Sequence, residues 1–188
     1  ATTEYAGVLP WKQMLFFWGD ERYVPSSHRD SNYGSAKDRL FSKVPIPAAN
    51  VHPMTTADQD ASQAARLYEQ TIRELFRARG CSGFDLTLLG MGTDGHTASL
   101  FPVSTALGEE KQWVTTADGP GGQLRLTITI PLINASKAVL FLVTGQEKQS
   151  MLTAVMAEHR QGAGKYPAAM VQGREQTLWL VDRAAYDK

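Results

Sequence analysis

Asp94 and His96, separated only by Gly95, are the side chains whose types and spacing bear most directly on chemistry. A carboxylate two residues before an imidazole can orient the ring, fix its tautomer and raise its basicity, which is how a general base is set up. Ser99 lies three positions further on, but the chain has no GxSxG nucleophile elbow, so a covalent serine mechanism finds no support. Two cations follow apolar runs in a comparable way: Arg22 in Gly19-Asp20-Glu21-Arg22, and Lys148 in Gly145-Gln146-Glu147-Lys148. Arginine presents a planar fork to phosphate oxygens and lysine a movable charge, so both read as phosphate ligands. His28, His52 and His159 have no partners at metal-ligand spacing, and no further carboxylates cluster with Asp20 and Glu21. No metal and no cofactor are expected. Taken singly, each candidate has an ordinary alternative as a turn aspartate or a solvated cation.

The elements around these residues give them a common place. Phe84 to Leu89 reads as a short buried strand, and Gly90, Gly92 and Gly95 follow it, free to turn sharply and to let a ligand approach the backbone. Thr97 to Phe101 reads as a first helical turn, ended near Pro102. Trp11 to Trp18 is an expected strand that runs into a polar loop reaching Gly34, with a short helix over Asn32 to Phe41 and extended chain at Val44 to Pro47. Asp58 to Arg79 carries apolar residues at three-four spacing and predicts a helix capped by Gly80. Gln112 to Thr116, Arg125 to Ile130, Ala138 to Thr144 and Thr177 to Val181 are expected strands. A helix to about His159 follows the third of these, and a short one capped by Asp182 follows the last. The alternation predicts an α/β fold with a mostly parallel sheet and helices on both faces. The polar segments at Asp20-Arg22, Asp94-His96 and Gly145-Lys148 would then meet at one edge, in a single pocket.

Composition bounds the function. Lys+Arg and Asp+Glu number 19 each, so no global field favours nucleic acid or an anionic membrane, and an anion site must be local. Cys81 is the lone cysteine, which excludes an internal disulfide and a cysteine zinc site. No apolar run is long enough to span a bilayer, and a cytoplasmic protein is expected.

Five blocks, in order, resemble one known family: FFWGDERYVP (16–25), SNYG (31–34), GMGTDGHTASLFP (90–102), RLTITIPLINAS (125–136) and GQEK (145–148). They resemble the 6-phosphogluconolactonases. The resemblance implies a three-layer Rossmann-like α/β fold, shared with glucosamine-6-phosphate isomerase/deaminases. It also implies hydrolysis of 6-phospho-D-glucono-1,5-lactone to 6-phosphogluconate, the second step of the oxidative pentose phosphate pathway. Carried over residue by residue, His96 is the catalytic base and Asp94 its support. Arg22, Arg125 and Lys148 bind the substrate, chiefly its phosphate, with Asp20 and Gly92 in the same pocket. A phosphorylated sugar lactone is the expected partner, with no nucleic acid and no membrane, for a monomer or weak homo-oligomer. The alternatives are a glucosamine-6-phosphate deaminase-like enzyme and an inactive sugar-phosphate-binding remnant. The deaminase pattern resembles DEY and GHIAFNEP where this chain has Asp20-Glu21-Arg22 and His96-Thr97-Ala98-Ser99-Leu100-Phe101-Pro102. Family members begin with a further strand and a Gly-Gly-Ser-Thr-Pro-like turn that has no counterpart before Trp11. Residues 1–188 are therefore expected to be a single domain that is N-terminally incomplete.

Overall fold

Short apolar runs between glycines and prolines set out the strands of this chain, and three-four apolar spacing sets out its helices. A computed structural model describes residues 6–56, 60–161 and 164–186. In chain order its strands are β1 (Phe16–Phe17), β2 (Asp20–Arg22), β3 (Val51–His52), β4 (Leu86–Gly90), β5 (Val114–Asp118), β6 (Leu124–Ile128), β7 (Ala138–Val143) and β8 (Gln176–Val181). The helices are α1 (Asn32–Arg39), α2 (Ala61–Arg79), α3 (Ile130–Asn134), α4 (Gln149–Gln161) and α5 (Arg183–Tyr186).

β4, β7 and β8 form a parallel sheet with β7 in the middle, and β1 pairs with β3, also in parallel. β2, β6 and β5 form an antiparallel sheet with β6 in the middle. The period-two alternation of β7 explains one face of the parallel sheet. Val139, Phe141 and Val143 are buried there, and Phe141 stacks on Trp179 of β8 with ring centroids 4.0 Å apart. The opposite face carries Leu86, Leu88, Leu142, Leu178 and Leu180, which are 47% to 58% exposed.

α2 is the long amphipathic helix that the spacing predicts, and it packs on β5 and β6. It buries Ala61, Ala64, Ala65, Tyr68, Ile72 and Phe76, with the larger side chains contributing about 1.5–3 kcal/mol each. Ile72 is wholly buried, so truncating it to alanine would cost about 2–5 kcal/mol. Asp60 caps the helix by accepting from the Gln63 N–H at 3.0 Å. Gly80 ends it at φ 65°, a left-handed conformation that a Cβ disfavours. The start of the expected helix, at residues 58–59, lies outside the described residues.

The α/β class and the parallel pairing of β4, β7 and β8 agree with the sequence reading, and several local expectations are corrected. Trp11 to Trp18 is a single 3₁₀ turn (Trp11–Gln13) followed by the two-residue β1, because only Phe16 and Phe17 find a strand partner. Asp20 to Arg22, expected in a loop, is itself a strand, held by antiparallel pairing with β6. Ile130 belongs to α3 rather than to the strand before it, since Pro131 at the first helical turn favours helix and offers no ladder donor. Thr97 to Phe101 does not form a helical turn. Ala98 takes φ 48°, outside the helical region, and the segment closes as a tight turn through Leu100 N–H to Thr97 O at 2.9 Å.

Candidate active site

β4 delivers the chain to Gly90, and the residues that follow fold back on themselves. The Gly92 N–H donates to His96 O at 2.8 Å and the Gly95 N–H to Gly92 O at 3.1 Å. Within this turn Asp94 Oδ1 lies 2.6 Å from His96 Nδ1 and accepts the His96 main-chain N–H at 3.1 Å. In the neutral ring, a carboxylate at Nδ1 selects the tautomer with its proton on that nitrogen and the lone pair on Nε2. Nε2 has no partner among the described residues. Burial raises the Asp94 carboxyl, but the hydrogen bonds and charge of His96 outweigh it and hold the group below the usual carboxylate range. The stabilisation of the pair is therefore complete above the ordinary aspartate value and is lost as pH falls through the depressed one. A Cβ on Gly92 would fall on the imidazole and on Asp94 Oδ1, so the ring can lie where it does only over a glycine.

The underside of the turn is packed. The imidazole rests against Phe101 with ring centroids 4.5 Å apart. Ala168 N–H donates to Gly95 O at 3.0 Å, and Gly95 lies against Tyr166 and Met151, leaving no room for a larger residue. Thr97 Oγ1 donates to Gly90 O at 2.8 Å and closes the base of the loop.

Antiparallel pairing of β2 with β6 places Arg22 directly opposite Arg125. Arg22 Nη1 donates to Asp30 O at 2.7 Å. Arg125 Nη2 donates to Gln123 Oε1 at 3.1 Å, and its guanidinium carbon lies 5.7 Å from the centre of the Phe101 ring. The Nε atoms of both arginines are buried without a hydrogen-bond partner. Burial first, and then the neighbouring Arg22 charge, push the Arg125 pKa down, while Asp20 acts against them. Two arginines opposite each other on paired strands concentrate positive charge there, an arrangement that can hold an anion.

The Asp20 carboxylate accepts Ser99 Oγ–H at 2.6 Å and lies 3.8 Å from Arg125 Nη1. Glu21 is buried at 1% exposure. It accepts from Asn32 N and Tyr33 N at 2.7 Å each and from Ser31 Oγ at 3.1 Å, so it ties the start of α1 to β2. Lys148 ends the 3₁₀ turn Gln146–Lys148 that follows β7. Because β7 runs parallel to β4, this turn opens at the same sheet edge as Asp94 and His96. Met151, in the first turn of α4, reaches Gly95. The Lys148 ammonium has no ion-pair or hydrogen-bond partner among the described residues.

The structure thus joins Gly92, Asp94 and His96 in one turn, and Asp20, Arg22 and Arg125 across two paired strands. Phe101 and Ser99 connect the two groups, and Lys148 stands at the same edge without touching either arginine. Reading the residues in sequence missed Phe101, Tyr166 and Met151 as walls of the site. Their apolar types carry no chemical signal, and Tyr166 and Met151 are distant in sequence from the turn they line. Among the described residues no group of three histidine, cysteine or acidic side chains could hold a metal ion.

Comparison with known proteins supplies the family. The family described as glucosamine-6-phosphate isomerases/6-phosphogluconolactonase matches residues 1–179. This chain belongs to that family. It is 44% identical over 179 residues to a 6-phosphogluconolactonase of Synechocystis sp., covering 94% of this chain and 74% of that protein. A 6-phosphogluconolactonase of Haemophilus influenzae is 37% identical over 186 residues, covering 98% of this chain and 78% of its own length. Among solved structures, the Thermotoga maritima 6-phosphogluconolactonase superposes with a TM-score of 0.80 at 38% identity, covering 92% of this chain and 74% of that one. A monomeric glucosamine-6-phosphate deaminase shares the fold, with a TM-score of 0.74 at 21% identity.

Proposed function

We propose that the chain hydrolyses 6-phospho-D-glucono-1,5-lactone to 6-phosphogluconate, the lactonase step of the oxidative pentose phosphate pathway. The observation that carries this is the Asp94–His96 contact of 2.6 Å, which leaves Nε2 as a free base next to a paired-arginine anion site. The 6-phosphogluconolactonases of Synechocystis sp. and Thermotoga maritima, similar over most of this chain, support the choice of substrate.

Each step uses a group already described. Nε2 of His96 takes a proton from water as the water oxygen bonds to the lactone carbonyl carbon. The tetrahedral intermediate then breaks its bond to the ring oxygen, which recovers the proton from His96 as it leaves. Asp94 holds the imidazole in the right tautomer and stabilises the imidazolium that forms between the two steps. Arg22 and Arg125 hold the phosphate, with Lys148 supplying a third positive charge from the neighbouring turn. Gly92 gives the imidazole its space. No protein nucleophile is needed, because a six-membered lactone is an activated ester.

On the same proposal residues 1–188 act as one domain, in the cytoplasm, as a monomer or weak homo-oligomer. The exposed lone Cys81 fits a reducing compartment. No helix among the described residues is long and apolar enough to cross a membrane.

The test is the hydrolysis of freshly prepared lactone, followed against a buffer blank because the lactone opens spontaneously. The chain should accelerate the reaction, and His96→Ala should lower kcat by about 10²–10⁴-fold. A folded sample that does not exceed the blank refutes the proposal. Ammonia released from glucosamine 6-phosphate would move the assignment to the deaminases.

A further inference from the structure

Ser99 and Asp20 are 79 residues apart and meet inside the site. Ser99 is wholly buried. Its hydroxyl donates to Asp20 Oδ2 at 2.6 Å and accepts from Arg125 Nη1 at 3.4 Å, while its main-chain N–H donates to Thr127 Oγ1 at 3.2 Å. Asp20 is held from the other side by Asn32, whose Nδ2 lies 3.3 Å from Oδ1 and 2.9 Å from the Asp20 main-chain oxygen. A wholly buried hydroxyl has no open approach to a lactone carbonyl. A carboxylate would also repel a substrate phosphate.

We infer that Ser99 and Asp20 are positioning residues, which aim the Arg125 guanidinium at the anionic end of the substrate. The inference rests on the lactonase proposal for its substrate. Ser99 follows Ala98, whose φ of 48° turns the chain inward, so the serine hydroxyl reaches β2 and β6 together. Phe101, two residues later, rests on the His96 ring, and its ring centre lies 5.7 Å from the Arg125 guanidinium carbon. One short segment therefore sets the separation between the base and the cation. Asp20 balances part of the paired arginine charge and fixes where Arg125 points. Neither residue meets the reacting atoms.

The test compares the phosphorylated lactone with its unphosphorylated counterpart, D-glucono-1,5-lactone, in Ser99→Ala, Asp20→Asn and the parent chain. Ser99→Ala should raise KM for the phosphorylated lactone on the order of tenfold, the value of one hydrogen bond to a charged group. It should leave kcat within about twofold and KM for the unphosphorylated lactone unchanged, because only the anion contact is loosened. Asp20→Asn keeps an oxygen to accept the Ser99 hydroxyl, so the turn holds its shape even if Ser99→Ala fails to fold. It should raise KM in the same selective way. A kcat collapse in Ser99→Ala with both substrates would make the serine a catalytic nucleophile and overturn the inference. Equal losses on both substrates that track a fall in Tm would reduce the pair to a structural role and overturn it as well. A lower KM in Asp20→Asn would show that the carboxylate only repels phosphate, which also refutes positioning. Binding of 6-phosphogluconate by calorimetry separates this inference from the lactonase proposal. If the parent chain binds the product without turnover and both variants bind it more weakly, positioning stands while the activity does not. Unchanged affinity in both variants overturns positioning.

Discussion

The position of the imidazole depends on an atom that is missing from Gly92. Space for the ring is made by the absence of a Cβ, so the smallest possible addition is disruptive. Gly92→Ala should push the ring off Asp94 and lower kcat on the order of a hundredfold, the scale of a misplaced catalytic group, with little change in substrate affinity. Steady-state kinetics check this, and a normal kcat would mean that the turn can shift to admit the methyl group. At this scale the pairing of Asp94 with His96 was legible in the sequence, since their spacing already brings a carboxylate to an imidazole. Ser99 shows the limit. The missing GxSxG argues against a nucleophile but gives the residue no other place, and its burial and 2.6 Å contact with Asp20 are visible only in the fold.

Among the elements, long periodic segments were easy to read and short ones were not. α2 was legible because nineteen helical residues carry enough apolar repeats to outweigh local exceptions. β2 was not, because Asp20-Glu21-Arg22 is polar and becomes a strand only through pairing with β6, a partner about a hundred residues away. The turn at Thr97 to Phe101 carries helix-compatible residues, and tertiary hydrogen bonds to Asp20, Thr127 and Gly90 override that preference. β3 supplies a pH prediction. His52 stacks on Phe17 at 4.9 Å between ring centroids, and its Nε2 is buried without a partner. Burial, with Arg79 adding to it, lowers its pKa from 6.5. The unfolded chain therefore binds the proton first, so His52 leaves stability unaffected above pH 6.5 and reduces it as pH falls below that value. Denaturant titrations should show this slope, and His52→Phe, which keeps the stack, should flatten it. An unaltered slope in that variant would assign the acid sensitivity to other groups.

The whole molecule is asymmetric in what it shows to water. One face of the β4-β7-β8 sheet is core, while the other exposes five half-uncovered leucines on adjoining strands. Contiguous apolar surface of this kind recruits hydrophobic dyes and other molecules. The chain should brighten anilinonaphthalene sulfonate, and Leu88→Lys should reduce that signal and any concentration-dependent association without altering kcat. Equal dye fluorescence in both forms would place the bound dye elsewhere. Elsewhere in the molecule Arg22 stands opposite Arg125 on the paired strands β2 and β6. Two like charges on adjacent strands oppose each other, and on the lactonase proposal a bound phosphate relieves that opposition. Inorganic phosphate should raise Tm, by an amount equivalent to about 2.7 kcal/mol at a hundred times its Kd, and Arg125→Ala should abolish most of the rise. A melting curve would then read the substrate concentration around the enzyme, which would be least durable when it has no work to do.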